Sequence, residues 1–257
     1  MIAGKILFLT FLAITLSACQ TTVSNQTSLN ATWKYALIKI PRNMTTDGSR
    51  CSGTFASKKT RACMEKIFTD RNFPLILFMH GCAGLGSSNS AGGSRNSITT
   101  LTSLGYAVIA PDSFARLGRE KNCTGNKRSI LSLRQSEIEY ALSKIPMLEW
   151  VDQSRLVLAG HSEGGQTVAG YSGDRVFSGY IIMGFGCTRG IGRGPSVTDP
   201  VLAIQGKLDP LSKGVCRVNS NKFSDSVQVP NAYHDVSGYP QTKEAVTKFL
   251  NSVAPNQ

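Results

Sequence analysis

Short apolar runs, separated by amphipathic stretches, dominate the chain from residue 73 onward. The run Phe73–Met79 (FPLILFM) is continuously apolar and has strand length, which is typical of a central strand buried on both faces. Further apolar runs predict strands at residues 33–40, 105–110, 155–159, 180–183 and 201–204, with a weaker candidate at 226–229.

Apolar positions three or four residues apart predict helices between these strands. Ser129 is a candidate N-cap for a helix whose stripe is Ile130, Leu131, Arg134, Ile138, Ala141, Leu142 and Ile145. Shorter helices are expected at 97–104 and 163–171, and a final one at 241–253, while the polar, basic residues 41–72 should form a surface excursion. This alternation predicts an α/β domain with a mostly parallel sheet and helices on both faces, and active sites in such sheets lie at the carboxyl ends of the strands.

The N-terminus has the pattern of a targeting segment. Residues 1–18 combine Lys5 with the apolar run Ile6–Leu16, which is too short to span a bilayer. Leu16-Ser17-Ala18-Cys19 resembles the bacterial lipobox, which implies lipidation of Cys19 and a cell-envelope protein anchored to a membrane, facing the periplasm or the cell surface. The alternative is a plain secretory signal with a chance cysteine. Polar residues 19–31 are interpreted as a tether, and residues 32–257 as one domain.

Composition narrows the class of protein. Hydrophobic residues make up 41% and charged residues 17%, which argues against disorder. The net charge of +12 indicates a basic surface or an affinity for anionic partners, but the basic residues are scattered, so nucleic acid is not an expected partner. We expect no cofactor. A metal site is also not expected, because the chain has no C-x-x-C pair and no clustered histidines.

Six cysteines remain after the N-terminal segment, and an even number in an exported chain favours disulfides. We expect neighbouring cysteines to pair as Cys51–Cys63, Cys82–Cys123 and Cys187–Cys216. Only the first pair has proximity in sequence to support it.

The stretch Gly160-His161-Ser162-Glu163-Gly164 matches G-x-S-x-G between a predicted strand and a predicted helix. This is the context of a nucleophile elbow, in which a tight turn projects the serine hydroxyl from the sheet edge. Ser162 is therefore the candidate nucleophile, although the same stretch fits a plain glycine-rich turn.

A serine nucleophile needs a general base, and the chain has only three histidines. His161 adjoins the serine and is interpreted as a packing residue, and His80 as a structural one, which leaves His234. An acid between serine and histidine in chain order should orient the imidazole. Asp209 follows the strand run VLAI and is preferred over Asp174, Asp199 and Asp225.

The oxyanion of an acyl-transfer transition state requires hydrogen-bond donors. The segment His80-Gly81-Cys82 directly follows the buried strand at 73–79, so the backbone N–H of Cys82 is one candidate donor. The backbone N–H of Glu163, after the nucleophile, is the other. A purely structural disulfide role for Cys82 is compatible with this prediction.

Five stretches resemble the dienelactone hydrolase-like branch of the α/β-hydrolase superfamily: FPLILFMHGCAGLG, GYAVIAPDSFAR, RLVLAGHSEGGQ, VLAIQGKLDP and AYHD. They cover most of residues 73–235 in the expected order. The resemblance implies a nucleophile–His–Asp triad that hydrolyses small-molecule esters or lactones. The enzymes that give the branch its name use a cysteine nucleophile, so Ser162 argues against dienelactone itself as the substrate.

Two other functions fit the same sequence. One is a non-catalytic surface lipoprotein that binds a ligand on a hydrolase scaffold. The other is a peptidase, because prolyl-oligopeptidase-like enzymes have similar elbows, although no propeller or large cap is evident to select peptides. Arg189 and Arg193 are expected to overhang the site, where they either favour an anionic substrate or are solvated loop charges.

Overall fold

The computed structural model describes residues 26–85, 92–116, 119, 123, 127–174, 177–186, 199–212 and 215–256. Several predictions from the sequence lie outside this range: the signal segment 1–18, lipidation of Cys19, most of the tether, and the roles of Cys187, Arg189 and Arg193. In the part of the chain that is described, no helix combines the length and apolarity that a membrane span requires.

One eight-stranded sheet forms the centre of the domain, in the order β2-β1-β4-β3-β5-β6-β7-β8. Strand β1 pairs antiparallel with both β2 and β4, and every other pairing is parallel. The strands are β1 Leu37–Ile40, β2 Cys51–Thr54, β3 Phe73–Met79, β4 Ala107–Ala110, β5 Val151–His161, β6 Gly179–Met183, β7 Val201–Gly206 and β8 Asp225–Val229.

Helices cover both faces of this sheet. They are α1 at residues 26–34, α2 Lys58–Met64, α3 Gly92–Ser103, α4 Lys127–Lys144, α5 Glu163–Ala169 and α6 Pro240–Val253. Successive residues of β3 point to opposite faces: Leu75 and Leu77 pack in the core beneath α4 and α5, and Ile76 in the core beneath α3 and α6. All seven residues of β3 are buried, as a strand covered on both faces requires. The α/β architecture predicted from the sequence is confirmed.

The N-terminal third differs from the prediction. The strand expected at 33–40 occupies only Leu37–Ile40, because residues 26–34 are helical. In α1, Leu29 is buried, and Trp33 stacks on Phe55 with ring centroids 4.7 Å apart. The part of the predicted tether that the structure describes, residues 26–31, therefore begins the helix that packs on the domain.

The excursion at 41–72 contains β2 and α2, neither of which the hydrophobic pattern predicts. A disulfide between Cys51 and Cys63 joins these two elements. Helix α2 is capped by Ser57, whose side chain accepts a hydrogen bond from the N–H of Thr60 at 3.3 Å. Met44 and Ile67 of this segment are buried in the core, so packing acts together with the cap and the cross-link to define it.

Candidate active site

Ser162 occupies the sharp turn between β5 and α5, at the carboxyl end of the sheet. Its φ of 57° and ψ of −117° are strained for a residue with a side chain, and among the described residues it is the only non-glycine residue with positive φ. Two hydrogen bonds hold the turn: the Ser162 N–H donates to the Met183 carbonyl, and the Ser162 carbonyl accepts from the Gln166 N–H, both at 2.9 Å. Such a conformation costs about 1–3 kcal/mol and persists only where the surroundings enforce it.

The glycines of the motif provide room for this turn. A Cβ on Gly160 would collide with the backbone of Gly164, and one on Gly164 would collide with the carbonyl of Met79 on β3. The G-x-S-x-G pattern is thus explained sterically, by the close approach of α5 to β5 and β3.

His234 and Asp209 come together from neighbouring loops. The Nδ1–H of His234 donates to Oδ2 of Asp209 at 2.7 Å, and the Asp209 side chain is fully buried. The second carboxylate oxygen accepts from the N–H of Leu211 at 2.9 Å, which fixes the orientation of the carboxylate. The loop after β7 is joined to the loop after β8 by the N–H of Leu208, which donates to the carbonyl of Ala232 at 3.0 Å.

A single cavity of about 270 Å³ connects these residues. Ser162 and His234 line it together with Cys82 and Glu163, the two candidate oxyanion donors. The structure therefore brings the candidate nucleophile, the candidate base and both candidate oxyanion donors to one cavity, with Asp209 bonded to His234. By contrast, Asp199 and Asp225 lie at the amino ends of β7 and β8, at the opposite edge of the sheet.

The backbone N–H groups around Cys82 differ in whether they already have a partner in the protein. The N–H of Gly81 is already used, because it donates to Oγ of Ser94 at 2.9 Å. Among the described residues, neither the N–H of Cys82 nor that of Glu163 donates to another group of the protein. Glu163 begins α5, where N–H groups have no partner within the helix. Both N–H groups are therefore available to a ligand.

Disulfides flank this region. Cys82 is bonded to Cys123, and both line the cavity. The structure thus contains the two expected pairings whose cysteines are both described. Cys216 is also disulfide-bonded, but its expected partner Cys187 lies outside the described residues.

A buried polar network lies beneath the Cys82 loop. The hydrophobic pattern does not predict it, because the pattern assigns Arg134 to the apolar stripe of α4. Arg134 is fully buried and donates to the His80 carbonyl at 2.7 Å and to the ring Nε2 of His80 at 3.1 Å. Glu137 pairs with Arg134 at 3.5 Å and with Arg116 at 3.6 Å, and accepts from the Ser113 hydroxyl at 2.8 Å. The available signal was an Arg and a Glu three residues apart in an otherwise apolar stripe.

His80 is locked into this network as a neutral imidazole. Its Nδ1–H donates to the Gly81 carbonyl at 2.7 Å, and its Nε2 accepts from the Ser113 N–H at 3.1 Å. Burial lowers the pKa of His80 well below its ordinary value of 6.5, and the nearby Arg134 lowers it further. His80 is thus a structural residue, as expected from the sequence.

His161 packs behind His234. Its Nε2–H donates to the His234 carbonyl at 3.1 Å, and the two ring centroids are 4.9 Å apart. A Cβ on Gly93 would collide with the His161 ring, and one on Gly184 would collide with the His234 carbonyl to which that ring donates. The structure therefore places His161 in the packing role predicted for it, supporting the backbone of the candidate base.

An ion pair also holds the residue after Ser162. Arg119 contacts the carboxylate of Glu163 at 2.6 Å, and both side chains are largely buried. This pair neutralises the acidic group in the cavity wall, and the sequence reasoning did not predict it.

Comparisons with known proteins identify the fold of the chain but not its function. No protein-family model and no curated protein matches it. A solved structure of prolyl endopeptidases superposes with a TM-score of 0.53 at 15% identity, over 87% of this chain and 39% of that chain. A proposed dienelactone hydrolase from Klebsiella pneumoniae gives 0.49 at 15% identity, over 72% and 87% of the two chains. An esterase called PE8 gives 0.48 at 14% identity, over 72% and 94%.

The chain has an α/β-hydrolase fold. Identities this low show the fold alone. The function must therefore be argued from the arrangement of Ser162, His234 and Asp209.

Proposed function

We propose that this protein is a serine hydrolase that cleaves carboxylic esters or lactones through an acyl-enzyme intermediate. The observation that supports this most strongly is the cavity shared by strained Ser162 and by His234, whose Nδ1 is held by buried Asp209. With Nδ1 engaged, Nε2 is the ring nitrogen left to exchange a proton with Ser162. Two free backbone N–H groups in the same cavity complete the requirements for acyl transfer.

The proposed reaction has two halves. Nε2 of His234 removes the hydroxyl proton of Ser162 as Oγ attacks the carbonyl carbon, and the N–H groups of Cys82 and Glu163 stabilise the oxyanion. The carbon–oxygen bond to the leaving group then breaks, and the imidazolium protonates the departing alcohol. A water molecule, deprotonated by His234, attacks the acyl-enzyme, which releases the acid and restores Ser162.

The cavity wall supports a small, uncharged acyl group as the part of the substrate bound beside Ser162. Ile130, Leu131, Phe185 and Leu211 supply apolar lining, and Glu163 is paired with Arg119. The volume of about 270 Å³ lies just below the range of about 300–1,000 Å³ that is typical of drug-sized ligands.

The direct test is turnover of p-nitrophenyl butyrate by Ser162→Ala and by a matched control, Ser154→Ala, which removes an exposed hydroxyl near the other end of β5. We expect Ser162→Ala to lose at least about 10⁴-fold in kcat with unchanged thermal stability, and Ser154→Ala to behave as wild type. Retained turnover in Ser162→Ala contradicts the proposal. A wild-type protein that neither turns over esters nor reacts with a fluorophosphonate supports the alternative of a non-catalytic binding protein.

We also propose that the protein is exported and anchored through a lipid on Cys19. The lipobox-like sequence before Cys19 supports this, as do the disulfides, which persist in oxidising compartments. Metabolic labelling with a fatty-acid analogue should mark the wild type and not Cys19→Ser, and the variant should leave the membrane fraction. Equal labelling of both proteins contradicts the anchor.

A further inference from the structure

The loops that carry Asp209 and His234 display several exposed apolar side chains. Among the described residues, eight large apolar side chains are exposed, and four of them lie on the loops that follow β7 and β8: Leu208 at 47%, Leu211 at 74%, Val215 at 56% and Tyr233 at 64%. These are the loops that carry Asp209 and His234. We call these four side chains the apolar rim.

Hydrogen bonds hold the backbone of the rim in place. The bond from Leu208 to Ala232 joins the two loops next to Tyr233, and Leu211 is tied to the Asp209 carboxylate. The N–H of Cys216, next to Val215, donates to Oε1 of Gln205 at 2.9 Å, and Nε2 of Gln205 donates to Ser212 at 2.8 Å. The backbone of the rim is therefore held in one arrangement, with its apolar side chains exposed to solvent.

The rim is continuous with the cavity. Leu211 belongs to both, and the cavity beyond it is lined by Ile130, Leu131 and Phe185. An apolar path therefore leads from the outer surface to Ser162. Exposed apolar patches mark sites of interaction with proteins, membranes or ligands.

Charge at the rim favours an anionic partner. Lys207 adjoins Leu208, Arg217 lies two residues beyond Val215, and both are exposed. The described acidic residues of these loops are already engaged: Asp209 with His234, and Asp235 with Asn96 and Ser237. The whole chain carries a net charge of +12.

We propose that the apolar rim docks onto anionic lipid surfaces and that the substrates are amphiphilic esters held in such a surface. This inference rests on the proposed function, because it assigns the rim to substrate delivery. The acyl group enters the cavity, while the rest of the ester stays with the lipid. Apolar side chains supply the insertion, and Lys207 and Arg217 supply attraction to the headgroups.

A local probe tests docking independently of turnover and of the N-terminal segment. Leu208→Trp places an indole on the rim, and Met147→Trp is the matched control, because Met147 is 73% exposed but lies outside the rim. Both are made in the full chain carrying Ser162→Ala and mixed with vesicles of phosphatidylglycerol and brominated phosphatidylcholine. The Ser162→Ala parent, which contains Trp33 and Trp150, gives the background. Relative to it we expect added quenching from the indole at position 208 and little from that at position 147, and loss of the added quenching when phosphatidylglycerol is omitted.

The outcomes separate the possible occupants. Equal quenching at the two positions, or none at position 208, overturns the docking proposal even if the protein proves to be an esterase. Quenching that persists without anionic lipid overturns the headgroup assignment. Self-association in solution that is lost in Leu208→Ser/Tyr233→Ser would identify the rim as a contact between two copies and would also overturn the proposal.

Activity gives the second readout. We expect Leu208→Ser/Tyr233→Ser to keep wild-type turnover of dissolved p-nitrophenyl butyrate, and to lose about tenfold on a fluorogenic butyrate ester with a long alkyl chain embedded in the same vesicles. The control Met147→Ser should match the wild type on both substrates. An equal loss on both substrates would mean that the rim acts on the catalytic loops and not on docking. Absence of turnover by wild type on both substrates would count against the proposed function and leave the quenching result to decide docking.

Discussion

Two histidine-centred regions flank Ser162, and they differ in almost every physical respect. On the side of β3 and α4, His80 is fully buried, neutral and bonded at both ring nitrogens. On the side of β7 and β8, the His234 side chain is 29% exposed and bonded through Nδ1 to Asp209. The first region holds the backbone that carries Cys82, whereas in the second region the ring of His234 lines the same cavity as Ser162 and, among the described residues, makes its side-chain hydrogen bond through Nδ1 alone. The proposed chemistry therefore assigns proton transfer to His234 and a supporting role to His80.

The largest expected effect on kcat comes from substituting the residues on the loops after β7 and β8. His234→Ala should lower kcat for p-nitrophenyl butyrate by at least about 10⁴-fold, and Asp209→Asn by about 10³- to 10⁴-fold, because the imidazole loses its orientation and its counter-charge. The measurement is steady-state kinetics, with circular dichroism to show that the fold is retained. A folded His234→Ala protein with wild-type kcat would remove His234 from the mechanism.

Substitutions in the buried network between β3 and α4 should change the free energy of unfolding and kcat independently of each other. Arg134→Met leaves Glu137 buried with only Arg116 as a counter-charge, so the free energy of unfolding should fall by about 3 kcal/mol. Arg134→Met/Glu137→Leu removes both charges and should recover most of that loss in urea denaturation.

In this double variant kcat should stay about ten- to a hundredfold low, because the His80 carbonyl has lost its donor and the Cys82 loop is no longer held. The KM should change little. Recovery of both stability and kcat would show that the network only fills the core.

The two described disulfides provide a comparison inside one molecule. Replacing Cys82 and Cys123 by alanine should lower kcat about tenfold, because the backbone donor at Cys82 is no longer tied to Cys123. Replacing Cys51 and Cys63 should leave kcat unchanged, since that bond lies at the β2 edge. Each change should reduce stability by about 2–4 kcal/mol in thermal or urea unfolding. Equal effects on kcat would contradict a local role for the first bond.

The smallest effect concerns pH and stability. Burial lowers the pKa of both His80 and His161 in the folded protein, whereas in the unfolded chain they bind protons at about 6.5. Protonation therefore favours the unfolded state, and the free energy of unfolding should rise with pH up to about 6.5 and then level off.

Each buried histidine adds at most about 1.4 kcal/mol per pH unit to this slope. Urea denaturation at about pH 5 and about pH 7 measures the rise, and His161→Gln should make it shallower. A profile that is flat between these pH values would contradict the neutral, buried state of the two rings.

Features encoded locally were predictable from the sequence. The apolar run of β3 and the stripe of α6 depend on residues adjacent along the chain, and the elbow at Ser162 depends on glycines within two positions of it. His234 and Asp209 could be predicted to lie close together, because the carboxyl ends of parallel strands meet at one edge of the sheet.

Features created by distant partners were not predictable. Arg134 can be buried because Glu137 pairs with its charge and His80, 54 residues away, accepts its hydrogen bonds. The antiparallel pairing of β1 with β2 was also not predicted, because residues Cys51–Thr54 do not alternate between apolar and polar side chains. A disulfide to Cys63 helps to hold this strand in position. The pattern of hydrophobic residues alone predicts neither a buried charge nor a strand that is held by a disulfide.

The central claim is that Ser162 is a nucleophile activated by His234. Treatment with a fluorophosphonate, followed by peptide mass spectrometry, tests it most directly. The account predicts one adduct, on the peptide that contains Ser162, which is absent in Ser162→Ala and forms far more slowly in His234→Ala. An adduct on any other residue, or no adduct on a folded wild-type protein, would contradict it.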